Sequence, residues 1–153
     1  MSGTYCQLFV HVVFAVKGRQ SLIPPDWESD LYGYIFGIIK EKGQKPYIVN
    51  GASNHVHILF GFEPSIPICD IVRDVKNNSS NYVNRDKMRM SRFSWQEGYG
   101  AFSIAKSEIE SVYNYILNQK EHHKTRSFKE EYLAILRSAG VEFNEKYLFD
   151  WVE

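Results

Sequence analysis

The sequence contains little that would place the protein outside the cell or in a membrane. Its two cysteines, Cys6 and Cys69, are too few and too far apart in the chain for a disulfide scaffold or a four-cysteine zinc site. No stretch reaches the roughly 18 uninterrupted apolar residues of a membrane span, and the N-terminus has no basic segment followed by an apolar core. We therefore expect a cytoplasmic protein in a reducing compartment, with no membrane partner.

The chain also has no net charge, because 18 basic residues balance 18 acidic ones. A net charge of zero gives little support to nucleic-acid binding, because such binding depends on basic residues that neutralise phosphates. The charges are nevertheless segregated. Residues 66–93 contain three acidic residues and six basic ones, and we call the six the basic set: Arg73, Lys76, Arg85, Lys87, Arg89 and Arg92. The basic set is either a solvated helix face or a surface for a polyanion, and the charge pattern leaves both open.

The length, with no repeat and no Gly/Ser linker, predicts a single domain over residues 1–153. Residue periodicity predicts, in chain order, a strand at 4–16, a helix from about 26 to 41, strands at 47–49 and 55–62 around a turn at 50–54, a helix from about 68 to the mid-80s, a strand at 101–104, and helices at about 108–123 and 128–140. Ser107 and Ser127 are the predicted N-caps of the last two helices, because each has a glutamate three residues later. The order is a split βαββαβ pattern. It predicts an α+β, ferredoxin-like or RRM-like fold, with an antiparallel sheet, helices on one face and additional C-terminal helices.

The sharpest local motif is His55-Val56-His57. A strand directs residues i and i+2 to the same side, so the two imidazoles are expected to lie together. Paired imidazoles on a sheet suggest a metal site. The spacing alone also fits two histidines that form hydrogen bonds on a half-exposed sheet, so both interpretations remain open.

A second motif lies on the predicted helix at 108–123. Tyr115 and Gln119 are four residues apart and therefore share one face, with His122 three residues further along it. Helical spacing places the Tyr115 phenol at the border between core and solvent. A tyrosine that packs its ring and exposes its hydroxyl would fit as well. If one tyrosine of this helix acts as a nucleophile, Tyr113 competes with Tyr115 for that role. The residue four positions after Tyr113, however, is the apolar Leu117.

Taken together, these residues resemble the site of the HUH single-tyrosine transposases, the small single-strand DNA transposases of bacterial insertion sequences. The family's His-hydrophobic-His strand is similar to residues 55–57 with the apolar run 58–60, and its Tyr-x-x-x-Gln helix is similar to residues 115–119. Further similarity lies at residues 11–14 with Lys17 and Arg19, and at residues 95–103. The resemblance covers about residues 4–123.

The resemblance implies cleavage and rejoining of single-stranded DNA at the hairpin-flanked ends of a mobile element. Tyr115 would be the nucleophile and would form a 5′-phosphotyrosine linkage. His55, His57 and Gln119 would hold a divalent metal, Mg²⁺ or Mn²⁺, and the basic set would contact the DNA hairpin. Similar proteins form homodimers in which the tyrosine helix of one chain completes the histidine site of the other, so Tyr115 is expected to act in trans.

Two other interpretations compete with a transposase. One is a non-catalytic nucleic-acid-binding module with the same fold. The other is a domesticated, hairpin-specific nuclease relative that cleaves repeats in a host chromosome without moving an element. The chemistry of the domesticated enzyme would be the same, so the sequence does not separate it from a transposase. Residues 142–153, which mix aromatic and acidic side chains, have no predicted role.

Overall fold

The computed structural model describes residues 3–88 and 90–153. These residues form four strands and five α-helices. In chain order they are β1 Leu8–Ala15, α1 Glu28–Glu41, β2 Lys45–Ala52, β3 His55–Phe62, α2 Ile68–Asp86, β4 Gly100–Ile104, α3 Ile109–Leu117, α4 Gln119–Thr125 and α5 Phe128–Ser138. None of the helices within these residues is both long and apolar enough to cross a lipid bilayer.

The strands form one antiparallel sheet in the order β2-β3-β1-β4. The first and third strands are therefore central, as in a ferredoxin-like βαββαβ core. The predicted α+β fold is confirmed. Because β3 is a central strand, its backbone is paired on both sides, which gives the histidine motif a rigid base.

The two faces of β3 have different partners. Val56, Ile58 and Phe60 belong to the main core, together with the buried apolar residues of α1 and α2. Side chains alternate along a strand, so His55, His57 and Leu59 lie on the opposite face. There Leu59 packs with Ile116 of α3. Helices α1 and α2 thus cover one face of the sheet, and the C-terminal helices cover the histidine face.

Several predicted boundaries are wrong in an informative way. The first strand begins at Leu8 rather than at residue 4, because its ladder with β3 ends at the Leu8 and Phe62 pair. The second strand is longer than residues 47–49, since the ladder continues to Ala52 opposite His55 and leaves a turn of only two residues.

Ser107 is not an N-cap. It lies in a short 3-10 turn, and the backbone N–H of Ala105 donates to the Glu108 carboxylate instead (3.0 Å).

The predicted helix at 108–123 is divided at Asn118 into α3 and α4. The side chain of Asn50 in β2 donates to the backbone carbonyls of Ile116 and Leu117, at 3.0 and 3.1 Å. These contacts satisfy carbonyl groups that are left free at the end of a helix. By contrast, the predicted cap of α5 is confirmed, because the Ser127 hydroxyl accepts from the Glu130 N–H (3.1 Å).

Gly51 allows β2 to approach β3 directly beside His55. A Cβ atom at this position would lie 2.1 Å from the backbone oxygen of His55, and backbone atoms cannot move aside as a flexible side chain can. We expect Gly51→Ala to destabilise the protein by about 1–3 kcal/mol, the usual range for overpacking. Gly37 of α1 has open space around it, so Gly37→Ala is the matched control. Equal urea midpoints for the two variants would contradict this expectation.

Candidate active site

His55 and His57 are both completely buried, with ring centroids 4.9 Å apart. The prediction that they share one side of a strand is confirmed, and the alternative of a half-exposed sheet surface is wrong. The His55 ring stacks on Phe128 of α5 at 4.0 Å, so the C-terminal helices shield the pair from solvent. Two buried imidazoles need specific polar partners, which the surrounding elements provide.

Glu131 of α5 is the partner that the two histidines share. Its Oε1 atom lies 3.0 Å from Nε2 of His55 and 3.3 Å from Nε2 of His57. Sequence reasoning missed this residue. The available signal was its position in the apolar stripe of α5, three residues after Phe128 and four before Ile135, where a solvated charge does not belong.

Gln119 and Tyr115 converge on the same carboxylate from α4 and α3. Gln119 places its Oε1 2.9 Å from Nε2 of His55 and donates through its own Nε2 to Oε2 of Glu131 at 2.9 Å. The Tyr115 hydroxyl also donates to Oε2 of Glu131. The ring of Tyr115 is stacked on His122, with centroids 4.8 Å apart. The four residues predicted from the two motifs therefore lie together within one chain, whereas the rival Tyr113 is 38% exposed.

A second layer of contacts holds the far nitrogens of the two imidazoles. Nδ1 of His55 lies 2.7 Å from Oδ1 of Asn54, and Nδ1 of His57 lies 2.8 Å from Nε2 of His11. Burial, reinforced by His57, lowers the pKa of His11 to about 3, so His11 is neutral. Burial also lowers the pKa of His57. Both motif histidines thus direct Nε2 towards Glu131.

The charge of the site is concentrated on Glu131. Burial alone would raise the pKa of its carboxyl group, but the hydrogen bonds with His55 and His57 outweigh burial and lower that pKa. The pKa of the Tyr115 phenol changes in the opposite direction. Burial and the nearby Glu131 charge both raise the pKa of Tyr115, so it is protonated and poised as a donor. The result is one buried carboxylate with a phenol on one oxygen and two imidazoles on the other.

The donor set fits a divalent cation. One potential ligand atom from each of His55, His57 and Glu131 lies within 4.8 Å of the others, and the Gln119 oxygen lies beside them. Imidazole nitrogen with carboxylate and amide oxygen accommodates Mn²⁺, and imidazole also suits zinc and nickel. These residues therefore could hold a metal ion, with Glu131 added to the three ligands predicted from the sequence.

A cleft gives access to this cluster. A cavity of about 370 Å³ is bordered by His11, Tyr115, Glu131, Arg126, Phe102 and neighbouring residues of α3 and α5. The phenol of Tyr115 and the carboxylate of Glu131 both line it. A polymer chain could reach these two groups without unfolding the helices.

The basic set is largely paired within the protein. Arg73 contacts Asp70 and Asp74, Arg85 contacts Asp86, and Lys87 contacts Asp30. Such exposed pairs contribute only about 0–1 kcal/mol, so a phosphate could replace the acidic partner.

The remaining members of the basic set differ from one another. Lys76 donates to the backbone oxygens of Gln96 and Gly98 and so holds the loop at residues 96–98. Burial lowers the pKa of Lys76 to about 8. Arg92 is exposed, and no ion pair involves it among residues 3–88 and 90–153. Arg89 lies outside the described residues.

The fold and the cluster agree with the predicted resemblance to HUH single-tyrosine transposases. Residues 4–119 match the family described as IS200-like transposases, which is most of the chain. The chain belongs to that family. Within the curated proteins, no sequence matches this one.

Two solved structures share the fold. One is a protein from Deinococcus radiodurans R1 that is assigned as a transposase, with a TM-score of 0.63 and 20% identity, covering 78% of this chain and 95% of that one. The other is a REP-associated tyrosine transposase bound to a REP hairpin, with a TM-score of 0.58 and 11% identity, covering 100% of this chain and 93% of that one. At these identities the likeness concerns the fold.

Proposed function

We propose that this protein is a single-strand DNA transposase that cleaves and rejoins DNA beside a hairpin through a 5′-phosphotyrosine intermediate. The observation that carries the proposal is the meeting of the Tyr115 phenol, the Glu131 carboxylate and the paired imidazoles on one buried point. Membership of the IS200-like family and a fold neighbour bound to a REP hairpin support a DNA hairpin as the substrate. One domain over residues 1–153 remains a prediction.

The cleavage step assigns a role to both Tyr115 and Glu131. Oη of Tyr115 attacks the scissile phosphorus, and the bond from phosphorus to the 3′-oxygen of the preceding nucleotide breaks. The phenol proton moves to Oε2 of Glu131, to which it is already hydrogen-bonded. The departing 3′-oxygen takes a proton from water. A phenol with a raised pKa needs such an acceptor, because it is almost wholly protonated at neutral pH. Glu131, whose own pKa is lowered, takes the proton as the bond from Oη to phosphorus forms and makes the phenol acidic.

His55, His57 and Glu131, with Gln119, are the residues that would hold Mg²⁺ or Mn²⁺. When bound, such an ion supplies positive charge that polarises the phosphate and stabilises its transition state. The chain itself contributes the fixed positions of these ligands. His11 and Asn54 anchor the far sides of the imidazoles, so the rings do not need to reorient.

The covalent intermediate explains rejoining without a nucleotide cofactor. Exchange of one phosphate ester for another is close to neutral in free energy, so a 3′-hydroxyl can attack the phosphotyrosine, lose its proton to water and displace the phenolic oxygen. Glu131 would return the proton to Oη of Tyr115.

A domesticated, hairpin-specific nuclease would use the same steps. A non-catalytic binding module would have no use for a phenol hydrogen-bonded to a buried anionic carboxylate.

The DNA contacts and the oligomeric state are further parts of the proposal. The basic set, with Arg89 included, stays the predicted hairpin surface. The family resemblance predicts a homodimer with Tyr115 acting in trans. The contact between Tyr115 and Glu131 within one chain favours action in cis as the competing arrangement.

The proposal is tested with a single-stranded DNA that carries a hairpin and flanking unpaired nucleotides. With Mg²⁺ or Mn²⁺ we expect a protein–DNA adduct that survives a denaturing gel, and none with EDTA. His57→Ala should remove the adduct, because it deletes a ligand and one of the two imidazoles that contact Glu131. Hairpin binding in a gel shift serves as the control for folding. Undiminished cleavage in EDTA would contradict the metal role.

A further inference from the structure

We infer that Arg126 is a further catalytic residue of this site, whose guanidinium group binds the scissile phosphate when a DNA strand enters the cleft beside Tyr115. The inference rests on the proposed function and deepens it, because it names the protein cation that holds the reacting phosphate. Arg126 lies outside the basic set and outside both sequence motifs.

Arg126 has a fixed place between the helices that carry Gln119 and Glu131. It is the C-cap of α4, in an extended conformation, and its backbone N–H donates to the carbonyl oxygen of His122 at 3.0 Å. The next residue, Ser127, is the N-cap of α5. The backbone of Arg126 is therefore held by a helix end on each side, which keeps its side chain at the cleft.

Arg126 is the one cation among the described residues that border the cleft. The other charged residues on its wall are the carboxylates Glu108 and Glu131, and His11 is neutral. A phosphodiester carries a negative charge, so a strand that approaches Tyr115 is repelled by the Glu131 carboxylate unless a cation offsets it. On the chain's own wall of the cleft, Arg126 supplies that positive charge.

The guanidinium group of Arg126 has donors available for a ligand. Among residues 3–88 and 90–153, its one side-chain hydrogen bond runs from Nη2 to the backbone oxygen of Glu130 at 3.3 Å, and none of the ion pairs involves it. The side chain is exposed. A guanidinium group presents its N–H groups as a planar fork that fits two phosphate oxygens. The contact with Glu130 directs this fork along α5 and leaves most of it unused.

The charge of Arg126 acts on the phenol that would attack. Burial and Glu131 raise the pKa of Tyr115, and the positive charge of Arg126 opposes them. Both side chains border the same cleft, and no hydrogen bond joins them in the described part of the chain. A phosphate that lies between them would therefore contact the guanidinium group and face the phenolic oxygen.

This placement gives Arg126 a role in the cleavage step. Negative charge builds on the non-bridging phosphate oxygens as the bond from Oη of Tyr115 to phosphorus forms, and fixed cations stabilise it. The two imidazoles gather around Oε1 of Glu131, whereas the phenol lies on Oε2. Arg126 stabilises the phosphate from the cleft and takes part in no proton transfer.

Arg126→Gln should reduce the rate of adduct formation with Mn²⁺ by about 10²–10³-fold at saturating hairpin DNA, the range for loss of one group that stabilises transition-state charge. Arg126→Lys keeps the charge and should recover part of the rate. Arg137→Gln is the matched control, because Arg137 is an exposed arginine of α5 that does not border the cleft. It should cleave as wild type does.

A binding measurement separates a phosphate contact from a structural role. The DNA is a hairpin with a single-stranded flank in which one phosphate at a time is replaced by an uncharged methylphosphonate. All proteins carry Tyr115→Phe and are kept in EDTA, so that none cuts the DNA. Arg126→Gln should lower the slope of log affinity against log salt by about 0.7, the value for one lost contact to a single strand. Arg126→Lys should restore the slope.

The methylphosphonate scan identifies the phosphate that Arg126 contacts. At one flank position the modification should weaken binding by the protein with Arg126 and have no effect on Arg126→Gln. That position should coincide with the cleavage site mapped from the wild-type adduct.

An unchanged salt slope, additive losses at every position, a contact at a different phosphate, or wild-type cleavage by Arg126→Gln would each overturn the inference. If the wild-type protein forms no adduct, the proposed function fails, and the scan still decides whether Arg126 binds a phosphate of the flank.

Discussion

Tyr115→Phe is expected to abolish the covalent adduct with hairpin DNA while leaving hairpin binding unchanged. The substitution removes only the hydroxyl, which is the proposed nucleophile, and keeps the ring that stacks on His122. Without the hydroxyl no phosphotyrosine can form, so the loss should reach the detection limit of a denaturing gel. A fluorescence anisotropy titration with the same hairpin measures binding.

Tyr113→Phe is the matched control, because it removes the same group from the exposed tyrosine two residues away on α3. It should retain full cleavage. If Tyr115→Phe still forms adducts and Tyr113→Phe does not, the nucleophile is Tyr113, and the proposed geometry is wrong.

The same variant separates action in cis from action in trans. Neither Tyr115→Phe nor His57→Ala should cleave DNA alone. If the tyrosine acts in trans, mixing the two proteins places an intact phenol beside an intact histidine pair and restores cleavage. If it acts in cis, as the Tyr115 contact with Glu131 of the same chain favours, the mixture stays inactive.

Glu131→Gln is expected to reduce the cleavage rate by about 10²–10⁴-fold, the range that a general base contributes. Glutamine keeps the shape of the side chain but carries no charge and cannot take the phenol proton. Its amide would also weaken a cation site by replacing the anionic ligand. The measurements are a time course of adduct formation with Mn²⁺ and a calorimetric Mn²⁺ titration.

Glu130→Gln is the control for this change. Glu130 neighbours Glu131 on α5 but is exposed and contacts the Ser127 hydroxyl, a contact that glutamine can preserve. It should behave as wild type in both assays. A Glu131→Gln variant with wild-type rate and Mn²⁺ affinity would show that the carboxylate is merely a structural partner of the histidines.

Local spacing was sufficient for the parts of the site that lie within one element. His55 and His57 share a face because a strand alternates with a period of two. Tyr115 and Gln119 converge even though Asn118 divides their helix, because the interruption is short and both side chains still reach Glu131. The division itself could not be predicted, since it depends on Asn50 of a distant strand.

Glu131 and Asn54 show where local reasoning ends. Glu131 is 74 residues from His57 in the chain, and the Asn54 side chain donates to the backbone oxygen of Val152, 98 residues away. Neither pairing follows from periodicity, because each depends on how a C-terminal element folds back over the sheet. The basic set shows the reverse case. Its charge excess is real in the sequence, but three of its members are held by acidic neighbours in space.

The sequence by itself determined the ferredoxin-like order of elements, the side of the strand that carries both imidazoles, and the resemblance that predicts Tyr115 as the nucleophile. These features depend on contacts between near neighbours in the chain, where strand and helix geometry leaves few choices. Only the tertiary structure decided which carboxylate joins the imidazoles, that the Tyr115 hydroxyl contacts this carboxylate, and what the last twelve residues contact. Those features arise where separate elements pack against one another, and no local pattern encodes that packing.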